Sequence, residues 1–480
     1  MRSNIVNAAG PHPRGLLGAF IHARSLLVRA PCSRLRQGYG VVPPKRFARR
    51  RTLRSRRVRT VFCSTLPAAL ALVVVAAPSV ESQTVDLIER ELVGVRVGFF
   101  RLGPVYVTPS FSLSTGYDSN ARSTSVAESD INARVGPGVR LALPLGSAGF
   151  VDLFQEVDYV YYREQTELRR WFDVTRVGAG FGGRRFLFKV TDEFRDETGR
   201  PTSEFDFSVE QRTNQLEGSL AFALGWRHLL RFSYGRSLFE IQEGVQGVDS
   251  PTVAARLNRD QDRAVLDFGR RLTAKTSAIA EGFFETLRFD DTFCDADFYG
   301  VRFGFEFSPS GGDPLTTELP LAGSFLNGRF LLGFRGVAPI DPERVDYTGL
   351  IGSVDVTFGF GEGQRLQALY SRDVVPSIFD ENWFFVENRW GAAFTFQITE
   401  RFSATPGFSI GQNRYPLPAE TEQGEEQIYD DHLTFRLALD VRITERWTVG
   451  VASDYLQRES NLAAFTKDRL QVGFTMSFRP

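Results

Sequence analysis

The sequence predicts an all-β fold: a transmembrane antiparallel up-and-down β-barrel of about 18 strands, with 16 as the alternative count. Three observations lead there. Apolar and polar residues alternate with a period of two, in segments of about ten to fifteen residues, from Pro104 to Pro480. The connections between those segments alternate between short and long. Aromatic residues form 13% of the 480-residue chain, with 43 Phe, yet no long apolar stretch follows residue 80. That last point excludes a polytopic helical membrane protein.

The first 60 residues carry 15 Lys and Arg, and no acid precedes Glu81. Such a bias marks a targeting segment. A basic region from Arg49 to Arg59 leads into an apolar run, Val61 to Ala77, followed by Pro78, Ser79 and polar residues, which is the pattern of a secretory signal peptide. A transit peptide shares the bias but lacks the apolar core Leu66 to Ala77, and Arg50 and Arg51 only weakly suggest a twin-arginine signal. Cleavage is expected between Ala77 and Gln83. The domain plan is therefore a basic leader plus signal peptide over 1–83, a short periplasmic segment over 84–103, and an outer-membrane barrel over 104–480.

Losing the leader removes 15 of 57 basic and 1 of 57 acidic residues, leaving 42 and 56, a net charge of about −14. Nucleic acid is thus excluded as a partner. Cys32 and Cys63 lie in the leader, so Cys294 stands alone and can form neither an intrachain disulfide nor a Cys-based metal site.

Eighteen segments begin near Val105, Ile131, Phe150, Arg170, Arg185, Val209, His228, Arg259, Thr276, Cys294, Asn327, Asp346, Gln364, Asn382, Arg401, Asp431, Arg446 and Phe465. Each is long enough to cross an outer membrane, which takes about 9 to 11 tilted residues. From His432 to Thr444, Leu433, Phe435, Leu437, Leu439, Val441 and Ile443 share one face, and Thr434, Arg436, Asp440 and Arg442 the other. One face suits hydrocarbon and the other water. Tyr299, Val301, Phe303, Phe305 and Phe307 oppose Gly300, Arg302, Gly304 and Glu306 in the same way. The segment from Thr276 to Asp290 has no clear orientation, since Glu281 and Glu285 share parity with Ile279, Phe283 and Leu287.

Short turns are expected at Gly182 to Arg184, Gly225 to Arg227, Leu272 to Lys275, Gly361 to Gln364, Thr399 to Arg401 and Thr444 to Arg446. Longer polar loops are expected at Asp118 to Asp130, Glu243 to Asn258 and Leu417 to Asp430. Pro309 to Leu326 breaks the rhythm, being long where a short turn is due. A closed sheet follows from physics, because hydrocarbon offers no partner for an unpaired strand edge. A soluble sandwich, propeller or solenoid also alternates, but needs neither strands this long nor a lipid-facing aromatic set.

The stretch Gly103-Pro-Val-Tyr-Val-Thr-Pro-Ser-Phe-Ser-Leu-Ser-Thr-Gly-Tyr-Asp-Ser-Asn120 resembles the opening strand of a family of outer-membrane β-barrel porins that often accompany exopolysaccharide systems, with Pro109, Gly116, Tyr117, Asp118 and Asn120 as the motif-like positions. The resemblance extends loosely over 90–480 and implies a passive channel or an outer portal for exopolysaccharide. Gln471, Gly473, Met476 and Phe478 in the last strand are similar to the signal read by the barrel assembly machinery, although Met476 replaces the usual aromatic and Arg479 and Pro480 follow.

Chemistry for an enzyme is sparse, so none is expected, and no cofactor or metal either. His228 and His432 lie in different segments. Asp430, Asp431 and His432 form one acid/base candidate that, with a hydroxyl from elsewhere, would make an outer-membrane hydrolase, the least favoured alternative; a solvated loop end is the better reading. Gly178 to Gly183 leads from strand to strand and reads as a turn, not a phosphate loop. The acidic residues Glu420, Glu422, Glu425, Glu426, Asp430 and Asp431 could bind cations bridging lipopolysaccharide, though simple solvation is the better account of them.

Water-facing charges are the informative set: Arg134, Arg140, Arg185, Lys189, Arg195, Arg231, Arg263, Arg271, Arg302, Arg389, Arg436, Arg442, Lys467 and Arg469 against Asp152, Glu156, Asp158, Glu193, Asp267, Glu306, Glu387 and Asp440. This balance predicts a mildly positive lumen that favours anions, unless cross-strand salt bridges satisfy it. Expected partners are outer-membrane lipid and lipopolysaccharide, the assembly machinery, and small hydrophilic solutes or polysaccharide. A plugged structural or adhesion barrel acting through its loops is the alternative.

Overall fold

The computed structural model describes residues 87–480 except 97, 206–207, 226, 243–250, 274, 308–324, 345, 361–362, 378, 380–381, 422–423, 463–464 and 480. The leader and the connection Pro309 to Leu326 therefore lie largely or wholly outside the described residues.

A helix, α1 (Leu87–Val95), and a three-residue strand, β1 (Phe100–Leu102), precede the wall. The wall strands are β2 (Val105–Asp118), β3 (Asp130–Leu145), β4 (Gly149–Tyr162), β5 (Arg170–Gly182), β6 (Phe186–Gly199), β7 (Val209–Leu224), β8 (His228–Ile241), β9 (Arg259–Arg271), β10 (Thr276–Phe289), β11 (Ala296–Phe307), β12 (Leu326–Pro339), β13 (Tyr347–Phe360), β14 (Gln364–Pro376), β15 (Phe384–Gln397), β16 (Phe402–Thr421), β17 (Gly424–Arg442), β18 (Trp447–Ser460) and β19 (Lys467–Phe478). A second helix, α2 (Pro251–Leu257), lies in the β8–β9 connection.

Each wall strand pairs antiparallel with its neighbours in sequence, and β19 pairs with β2, so an 18-stranded sheet closes on itself. The seam is continuous from Gln471↔Asp118 to Phe478↔Phe111. Every predicted strand start falls within two residues of the observed one except that of β17. There the expected loop Leu417 to Asp430 is itself strand: β16 and β17 stay paired out to Thr421↔Gly424, past a register shift between Arg414 and Pro418. The polar residues that read as loop are a hairpin rising clear of the apolar band, where no lipid demands an apolar face.

The pairing fixes which side chains share a face. Leu433, Phe435, Leu437, Leu439 and Val441 lie beside Ile410, Phe408, Pro406, Ala404 and Phe402. Large apolar residues on this face have no protein partner: Trp171, Phe303 and Phe334 are more than half exposed. Aromatic residues also gather at the ends of the band, with the Tyr159 and Trp171 rings tilted together at 4.9 Å and those of Trp447 and Phe478 at 5.0 Å, as interfacial girdles require. An apolar exterior of this kind belongs in a bilayer.

Short turns collect at one rim, together with both ends of the described chain, the long connection between β11 and β12 being the exception there, and most longer connections lie at the other rim. Gly146, Gly225 and Gly363 hold φ of +66°, +75° and +83° in the short turns, which a side chain would strain. In the seam, a Cβ at Gly116 would stand 2.6 Å from the Val472 carbonyl oxygen. Gly116→Val is therefore expected to destabilise closure by about 1–3 kcal/mol, measured as a lower temperature at which the folded, fast-migrating band on a denaturing gel disappears.

Candidate lumen and its constrictions

The face opposite the apolar band carries the charges, and they meet mostly across strands, with Arg389–Glu387 and Arg195–Glu193 pairing along one strand. Arg140 contacts Asp152 at 2.7 Å, Arg389 contacts Glu387 at 2.8 Å, and Arg469 contacts Asp118 at 2.5 Å. Arg134 pairs with Asp158, Arg195 with Glu193, Arg302 with Glu281, and Arg436 with Asp454. Arg263 reaches Glu285 at 3.8 Å. Register also sets Arg231 against Asp267, and Glu306 against Arg329. Arg271, Asp440 and Arg442 share this face near the short-turn rim, and Glu156 near mid-strand.

Three predicted residues have different surroundings from those expected. Arg185 lies in the β5–β6 turn, exposed at the rim, because β6 begins one residue later. Lys467 is buried and donates to the Ser123 carbonyl at 2.7 Å. Lys189 contacts Glu91 of α1 at 3.3 Å.

Acids that the sequence reading missed offset the predicted positive excess. Asp118, Glu281, Glu285, Asp373, Asp430 and Asp454 all meet basic partners on the inner face. β10 explains why two of them were overlooked. Its inward face holds Glu281 and Glu285 together with the buried Ile279, Phe283 and Leu287, while Phe284 is half exposed on the outer face. Apolar residues face inward here because the outer half of β10–β13 is covered: Phe283, Leu287, Phe298, Val337 and Ile351 cluster with Cys294 and Trp383 from the connections at the loop rim. Arg335 threads this cluster, donating to Glu285 at 3.1 Å and Asp373 at 2.8 Å with its guanidinium 4.2 Å from the Phe298 ring centre. A Cβ at Gly300 would strike the Phe283 ring, so glycine there makes room for the aromatic. Burial pushes the Cys294 thiol up to about 12, which makes it inert near neutrality.

A second covering runs across the barrel at the loop rim. The β6–β7 connection reaches halfway around the ring to β14–β18. The Ser377 hydroxyl donates to the Glu204 carboxylate at 2.6 Å, Arg458 donates to the Glu204 carbonyl at 2.8 Å, and Ser203 bonds Asn413 at 3.2 Å. Phe205 packs with Val209, Phe239 and Leu257 on the near side. The anchor is strong because Arg458 is itself fully buried and bonded to both oxygens of Asp430, at 2.7 and 2.6 Å. The connection is thus a strap, held at both ends and narrowing the mouth.

That arrangement redefines the acid/base candidate. His432 Nε2 is 3.2 Å from Asp430, but Asp430 also accepts from Arg458 and from Asn413 at 2.9 Å. Asp431 instead faces outward and pairs with Arg414 at 2.9 Å. No hydroxyl hydrogen-bonds to His432 among the described residues, so a base paired with a nucleophile is not assembled there. Nor do three or more Asp, Glu, His or Cys side chains group as a metal site among the described residues.

No family model and no curated protein matches the sequence. Among solved structures, the chain is similar to Acinetobacter baumannii OccAB4, at 9% identity over 78% of this chain and 98% of that one, with a TM-score of 0.45. It is also similar to the outer-membrane protein opdK of Pseudomonas aeruginosa, at 9% identity over 78% and 98%, with a TM-score of 0.44. The FrpB iron transporter of Neisseria meningitidis follows at 10% identity over 74% and 63%, with a TM-score of 0.40. At these values a shared function does not follow.

Removing one partner of a buried ion pair leaves the other charge uncompensated. Arg458→Ala is accordingly expected to cost about 3–5 kcal/mol locally and to free the strap, which limited proteolysis would register as new cleavage near Arg200 while the barrel wall stays resistant.

Proposed function

We propose that this protein is a passive, porin-like channel of the bacterial outer membrane, passing small hydrophilic solutes. The short-turn rim then faces the periplasm and the loop rim the outside, as in barrels of this class. One observation carries the reading. Midway along the lumen, charged heads pair within and between strands yet stay wet: the side chains of Arg134, Arg389 and Arg436 are 45%, 52% and 67% exposed. A plugged structural barrel would pack these positions, as the cluster around Arg335 is packed.

The pairing also revises the expected selectivity. Acids and bases nearly cancel around the wall, so the lumen presents alternating fixed charges, not a positive field. Passage of a long polysaccharide would require the strap at Glu204 to move aside, which favours small solutes over an export portal. Folding depends on recognition of β19, where Met476 and Phe478 face lipid and Gln471 and Gly473 face inward, presenting the strand to the assembly machinery. No catalytic role belongs to this reading.

In planar bilayers the purified, folded barrel is expected to give stable conductance steps with weak ion preference, a potassium-to-chloride permeability ratio between roughly 0.3 and 3. A folded barrel that never conducts would overturn the proposal.

A further inference from the structure

The short-turn mouth holds an element that the wall does not explain. Every wall side chain that α1 touches faces the lumen. Ile88, Leu92 and Val95 pack with Ala142, Phe150, Tyr106 and Leu187. Glu91 meets Lys189 of β6 at 3.3 Å, the Arg140 guanidinium of β3 donates to the Gly94 carbonyl at 3.4 Å, and Arg96 donates to the Gly146 carbonyl at 2.9 Å in the β3–β4 turn. Contact passes from β6 at Glu91 to β3 at Gly94, so the helix lies along the circumference of the inner wall, just within the rim. Its nine residues span about 14 Å, which matches three strand spacings of about 4.8 Å.

We infer that α1 is the size filter of the pore on the periplasmic side, with Leu92 and the Glu91–Lys189 pair as its positioning residues. This rests on the channel reading and adds where solutes are sorted. An 18-stranded barrel is roughly 35 Å across between backbones, and a helix about 10 Å thick laid inside one wall takes close to a third of that width. The docking surface suits the task. Ala142 presents a small side chain under the helix, and Phe150 and Leu187 flank it, giving the apolar stripe Ile88, Leu92 and Val95 a dry seat in an otherwise polar wall. Lys189 contacts the helix through Glu91, and Arg140 serves both the helix and its wall partner Asp152, so two predicted selectivity charges are engaged in holding it.

The test compares the full chain with three variants, each confirmed as folded by its gel mobility: Leu92→Asp, Lys189→Glu, and the swap Glu91→Lys with Lys189→Glu. Conductance is read in potassium chloride, and liposome swelling in neutral sugars of one to four rings. Leu92→Asp and Lys189→Glu are expected to raise conductance about 1.5- to 2-fold and to speed entry of the largest sugar more than that of the smallest. The swap is expected to restore both values. Lys189→Glu keeps the test open if Leu92→Asp does not fold. Conducting variants with unchanged conductance and unchanged sugar ratios would refute the filter while sparing the channel. Absence of steps in every form, the unmodified chain included, would remove the channel and the filter together.

Discussion

Hydrocarbon offers a peptide group no hydrogen-bond partner, and that one constraint shapes the rest of this molecule. Each unpaired N–H or C=O exposed to lipid costs several kcal/mol, so the sheet cannot end; it must return to its first strand. The seam between β19 and β2 is where it does so. Once the sheet is closed, each strand has one flank in lipid and one in the lumen, and the period-two alternation in the sequence records those two solvents. The even strand number follows from closing the sheet through an antiparallel seam.

The lumen is organised by a second requirement, that charges brought off bulk water find partners. Cross-strand pairs satisfy it along the middle of the wall, where water still reaches the side chains. At the two ends the partners come from elsewhere in the chain. The strap at the loop rim is held through Glu204 by Ser377 and Arg458, while α1 at the short-turn rim is held by Lys189 and Arg140. A wet middle between two built constrictions is the arrangement a diffusion pore needs and an adhesion barrel does not.

The wall was legible in the sequence because its signal is local. Alternation identifies a strand from its own residues, which is why the starts of β2 to β16, β18 and β19 could be read closely. It failed where the environment was not one of two solvents. β10 faces a packed apolar cluster, so both its flanks are apolar and its orientation vanished from the pattern. β17 begins early because its opening residues, Gly424 to Asp430, are mostly polar and carry no period-two alternation. The lumen charge was misjudged for a related reason: Asp430 is followed by Asp431 and reads as loop, yet it is buried against Arg458. The two constrictions were illegible because they depend on distant contacts, Glu204 with Ser377 across 173 positions and Glu91 with Lys189 across 98. The sequence marked 84–103 as a short segment ahead of the barrel, but nothing in its own composition says that its helix lies inside.

Closure around a lipid-facing exterior is the central claim, and the mobility of the detergent-extracted protein on a denaturing gel tests it most directly. A sealed barrel resists the detergent until heated, so the unboiled sample should migrate faster than the boiled one, with a sharp conversion on warming. Identical mobility before and after boiling, from a polypeptide that stays monomeric in buffer without detergent, would contradict it.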